Sequence, residues 1–81
     1  MSPKIDEAFG FEVVINRKDH PPPHVHVLRD DADLRVYLSD DLPAERKYGR
    51  MKAADERRAI ALVRERRAAY LGRWEEIDPQ P

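Results

Sequence analysis

The chain contains no cysteine, which excludes disulfide staples, thiolate zinc sites and cysteine nucleophiles. No run of apolar residues comes near the roughly twenty that a membrane-spanning helix requires, so a membrane is not an expected partner. Neither sign of charge dominates: 15 basic residues stand against 16 acidic ones, a formal net charge of -1. No overall field therefore draws the molecule onto nucleic acid, a partner that the charge pattern does not support. The opening Met1–Glu7 has no apolar signal core, and a cytoplasmic protein is expected. What is present is short and mixed: 81 residues, 41% hydrophobic and 38% charged. That reads as one domain over residues 1–81 with a thin core.

The chain changes texture near its middle. Phe9, Phe11, Val13 and Ile15 occupy every second position, the period of a half-buried strand. A second run, His24 to Arg29, sets Val25 and Val27 on one face and His24, His26 and Leu28 on the other. Asp30-Asp31-Ala32-Asp33 reads as a turn. A third run then aligns Leu34, Val36 and Leu38 against Arg35, Tyr37 and Ser39. A fourth strand around Lys47 to Met51 is the weakest reading, given Pro43 and Gly49. From about 53 to 77 the composition turns to Ala, Arg, Glu and Leu, which predicts one long helix. Asp55 and Glu56 suit the positive end of its dipole, and Gly72 predicts fraying toward its end. Ile60, Val63, Tyr70, Leu71, Trp74 and Ile77 collect on one side of that helix. The expected fold is α+β: an antiparallel meander of three or four strands packed on one long C-terminal helix.

Two features interrupt the helical pattern. Arg67 falls inside the apolar stripe, either to hold a sheet carboxylate or substrate anion or to cover core with its stem while its head reaches water. Arg57, Arg58, Arg64, Arg66 and Arg73 scatter around the wheel with Glu65, Glu75 and Glu76 among them, as on a solvated face laced by ion pairs.

All three histidines fall in one stretch, Asp19-His20-Pro21-Pro22-Pro23-His24-Val25-His26. His24 and His26, two apart on a strand, share a face roughly 6.6 Å apart along the chain. With His20 they form a candidate three-histidine metal site for a divalent ion such as zinc. An extended proline run would hold His20 and His24 roughly 12 Å apart, so closing the site needs a bend or a cis proline. Glu12 or Asp19 could supply an oxygen ligand instead. Without a metal, the same histidines are candidate acid-base groups. The structural alternative is a rigid proline turn whose histidines cap backbone groups. On the sheet face away from the helix, Glu12, Val14, His24, His26, Arg35 and Tyr37 come together, and this is the candidate functional surface.

The block His20, Pro22, Pro23, His24, His26 resembles the His-x-Pro-Pro-His-x-His signature of a small bacterial family, domain of unknown function 4160. Phe9-Gly10-Phe11, Asp19-His20, the proline block, Tyr70-Leu71 and Trp74 follow in the family's order, over about residues 8 to 76. The connection from Leu42 to Met51 is longer and more charged than the family pattern. Leu62 or a neighbour stands where a tryptophan is usual. The resemblance implies a short cytoplasmic protein encoded beside another small protein, often in loci resembling toxin–antitoxin modules, with no activity attached.

Two functions follow as expectations. One is a binding module of a toxin–antitoxin-like pair, with the histidine face meeting a small protein partner or a second copy of the chain. The other is a hydrolase or nuclease-like toxin, with His20, His24 and His26 as ligands or acid-base groups. Glu12 or Asp19 would then orient the histidines, Tyr37 would supply a hydroxyl, and Arg35 or Arg67 would stabilise developing negative charge.

Overall fold

The computed structural model describes residues 4–17 and 20–77. Five strands precede one helix: β1 (Lys4–Ala8), β2 (Phe11–Val14), β3 (His24–Arg29), β4 (Ala32–Tyr37), β5 (Ala44–Tyr48) and α1 (Ala53–Ile77). The strands form one antiparallel sheet in the order β1-β2-β3-β4-β5. The α+β meander under one helix is therefore as expected, with five strands rather than three or four.

The extra strand is β1, whose sequence KIDEA carries two apolar residues, Ile5 and Ala8, in a polar frame. Its pairing with β2 shifts register between Lys4 and Asp6, so its side chains do not keep a strict period of two. Phe9 leaves the strand assigned to it. Phe9 and Gly10 form the turn between β1 and β2, with φ of 54° and 81°, the signs of a two-residue primed hairpin turn. The β3–β4 turn is shorter than expected, since Ala32 and Asp33 already belong to β4. β5 comes earlier than expected, at residues 44–48.

The pairing register fixes the faces. Val13, Val27 and Leu34 stand opposite one another, as do Val25 and Val36; these residues point toward α1 and are buried. Fully burying one such side chain contributes about 1.5–3 kcal/mol. On α1 the buried residues are Ala59, Leu62, Val63, Tyr70 and Trp74. Ile60, Leu71 and Ile77 pack only partly against the core. The stripe is thus centred nearer Ala59 and Leu62 than expected. The helix runs on through Gly72 to Ile77, with a break at Arg66 (φ -109°, ψ 17°).

Polar ties fix the helix over the sheet. At its start, Arg46 of β5 donates to Glu56 at 2.6 and 3.1 Å, and Arg29 Nε lies 3.7 Å from Asp55. At the break, Arg66 and Tyr70 both donate to Asp6 Oδ2, at 2.6 and 2.7 Å. Arg67 donates to the Leu38 carbonyl at 2.6 Å, and its Nη2 lies 3.2 Å from Asp40. Arg67, half-buried, thus ties the helix to the loop after β4 through a backbone carbonyl and the exposed Asp40, not through a carboxylate of the sheet. No helix among the described residues is long and apolar enough to cross a membrane.

Candidate functional site

The second sheet face holds the residues assigned to it. Val14, His26, Arg35 and Glu45 form one cross-strand row, His24 and Tyr37 a second, and Glu12, Leu28, Asp33 and Tyr48 a third. The imidazoles are not surface groups, however. His24 is 3% exposed and His26 5%. They lie on the central strand, where larger neighbours close over them. The His24 ring centre is 5.4 Å from that of His26, 5.5 Å from Tyr37 and 5.1 Å from Trp74 near the end of α1.

Each histidine has a fixed orientation. His24 Nδ1 donates to the Pro22 carbonyl at 2.9 Å, since a carbonyl can only accept. His26 Nδ1 donates to Asp33 Oδ1 at 2.9 Å. Both tautomers therefore carry a proton on Nδ1. Beside them, Arg35 donates to the Tyr37 hydroxyl at 3.1 Å, and that hydroxyl donates to Glu45 at 2.9 Å. The Arg35 guanidinium also stands 5.9 Å from the Tyr37 ring centre.

Not every candidate joins this cluster. His20 is exposed at the far end of the proline run, and Glu12 is exposed opposite Leu28. Arg67 works at the sheet's end, and Asp19 lies outside the described residues. Among the described residues, no group of three or more His, Asp or Glu side chains is placed to hold a metal ion. The three histidines are thus not brought together as one ligand set. Two further residues, Asp33 and Trp74, complete the cluster. Asp33 was read as a turn residue, although it alternates in phase with Arg35 and Tyr37. Trp74 was assigned to core packing, and no local signal ties it to a histidine fifty positions earlier.

The cluster supports a cavity at its margin. A groove of about 410 Å³ is lined by Pro22, Pro23, Tyr37, Leu38, Ser39 and Pro43. Its two loop walls are tied to β4: Leu38 N–H donates to the Pro23 carbonyl at 3.0 Å, and Tyr37 N–H to the Pro43 carbonyl at 2.9 Å. Leu42, buried at a φ of 47°, pins the second loop into the core. Three prolines in these walls have fixed φ and no N–H to satisfy. The result is a preformed, mostly apolar groove, the type of surface that binds at low ordering cost.

Several ionisable groups in the helix–sheet ties are shifted from their ordinary values. Hydrogen bonds from Arg66 and then Tyr70 hold the Asp6 carboxyl below its ordinary range. Burial, helped by Asp6, pushes the Tyr70 hydroxyl up. The Arg46 guanidinium likewise lowers Glu56. These shifts belong to the helix–sheet ties and lie away from the histidines.

Fold and site together define a small α+β domain with one helix-covered face and a proline-walled groove beside a buried histidine pair. The chain belongs to the family described as Domain of unknown function (DUF4160), whose model matches residues 10–75. No curated protein and no solved structure matches the chain.

Proposed function

We propose that this protein is the small cytoplasmic component of a toxin–antitoxin-like two-protein module, and that it acts by binding a protein partner at the margin of its histidine-bearing face. The observation that carries this reading is the groove between Pro22, Pro23, Tyr37 and Pro43. Its walls are fixed before any ligand arrives, and His24 holds one of them through the Pro22 carbonyl. In this reading the histidines build the recognition surface and the groove makes the contact. The partner is the small protein encoded beside this one, which the family resemblance implies, and it inserts an apolar side chain between the prolines.

A second reading draws on the His26–Asp33 hydrogen bond. A carboxylate that fixes imidazole orientation is half of an acid-base device, and proton exchange with a substrate would run through Nε2. This is the histidine-dependent hydrolase or nuclease-like toxin.

Co-expression with the neighbouring gene product separates the two. The binding reading expects a stable complex that is lost in Ser39→Arg, which fills the groove from an exposed position, and retained in Ser39→Ala. A complex indifferent to Ser39→Arg would sink it. In the same strains, growth arrest abolished by His26→Asn in a folded protein that keeps its complex would establish the enzymatic reading instead.

A further inference from the structure

The β1–β2 turn breaks a local rule. Both of its central residues have positive φ, a conformation that calls for Asn, Asp or Gly at the first position. The residue there is Phe9, and its side chain is held out into solvent, 73% exposed. A bulky residue at φ 54° is a backbone outlier, and exposing the ring adds a second unfavourable choice at the same position. Arg29 Nη1 donates to the Phe9 carbonyl at 3.4 Å, a contact any residue at position 9 would offer. The ring itself is what the arrangement presents.

Beside the ring runs an open groove of about 560 Å³, lined by Phe9, Arg29, Arg58, Ala61, Leu62 and Glu65. The last four are spaced i, i+3, i+4 and i+7, one face of α1. We propose that this face is the interface between two copies of the chain. Its charges are self-complementary. A two-fold axis between Ala61 and Leu62 sets two α1 helices antiparallel, and pairs Arg58 of each copy with Glu65 of the other. The same operation brings each Phe9 to the groove of the second copy. Ala61 at the crossing lets the helices approach closely. The Arg58 side chain is 71% exposed, with Asp55 3.5 Å from its Nη1; a guanidinium has donors enough to keep that contact and meet a second carboxylate. Phe9 and the proline groove lie at opposite ends of β3, so such a dimer leaves the groove open.

Sedimentation equilibrium of the untagged chain over about 10 to 500 µM spans the range in which a modest interface assembles. The wild type should shift from one chain to two. Phe9→Asn should remain a single chain throughout while keeping its far-ultraviolet circular dichroism, because Asn accepts the positive φ. Arg58→Glu and Glu65→Arg should each weaken association about tenfold, and the double variant should recover it, as complementary pairs do. A wild type that stays a single chain at the highest concentration overturns the proposal. So does Phe9→Asn dimerising like the wild type, or a double swap no better than its single parents.

Discussion

A histidine two residues beyond a proline can turn its ring back to that proline's carbonyl, and His24 does so at 2.9 Å. The Trp74 and Tyr37 rings lie tilted beside it, at 5.1 and 5.5 Å between ring centres, and the hydrogen bond ties the proline turn that walls the groove to β3. The histidines, their shared face and their neighbours Arg35 and Tyr37 were legible from alternation alone. Their burial was not, because it depends on Trp74 arriving from the far end of the chain and on Asp33 belonging to β4. A second residue-scale device is Asp6, which accepts from both Arg66 and Tyr70. Since its carboxyl is held below the ordinary range, its contribution is complete above the unfolded value, near pH 4. It is lost as pH falls from there through the lowered folded value. Tyr70→Phe should therefore cost about 1–2 kcal/mol in urea unfolding at neutral pH, and the deficit should shrink in acid. An equal deficit at neutral pH and below pH 3 would contradict this assignment.

The strands that sequence patterning located were those whose two faces differ. β3 was found with its bounds because valines alternate with histidines along it, and β4 because Leu34 and Val36 alternate with Arg35 and Tyr37. β1 was missed and β5 misplaced for a common reason: both are edges, polar along most of their length, and both have irregular register. Charges and bulges on outer strands block the addition of further strands, so partners should meet this molecule through its groove or its helix face. At the level of elements, two glycines make opposite predictions for one substitution. Gly49 has a φ of 62°, and a Cβ there would lie 2.5 Å from the Asp31 carbonyl oxygen, where β5 ends against the β3–β4 turn. Gly72 lies within α1, and a Cβ there would meet nothing within 4 Å. Gly49→Ala should destabilise by more than about 1 kcal/mol, while Gly72→Ala should stabilise by about 0.5–1 kcal/mol. Melting temperatures moving in the same direction for both would show the backbone account to be wrong.

At the scale of the whole molecule, one helix covers one sheet face, and the other face closes over its own histidines with side chains from β4 and the end of α1. This economy was hidden in the sequence, which suggested an open imidazole surface because one helix cannot cover two faces. Long side chains on a narrow sheet do what a second layer of structure would do in a larger domain. What the molecule offers outward is then concentrated at the two ends of β3: the proline groove at one and the Phe9 hairpin at the other. Backbone amide hydrogen exchange tests the proposal that the proline–histidine block makes a docking groove. Exchange would be compared for the chain alone and in the presence of the proposed small-protein partner. Slowed exchange is expected in the loop from Ser39 to Leu42 and at Ala44, beside the groove, with the β1–β2 turn unchanged. Protection confined to other surfaces, with the 39–44 amides exchanging as in the free chain, would contradict it.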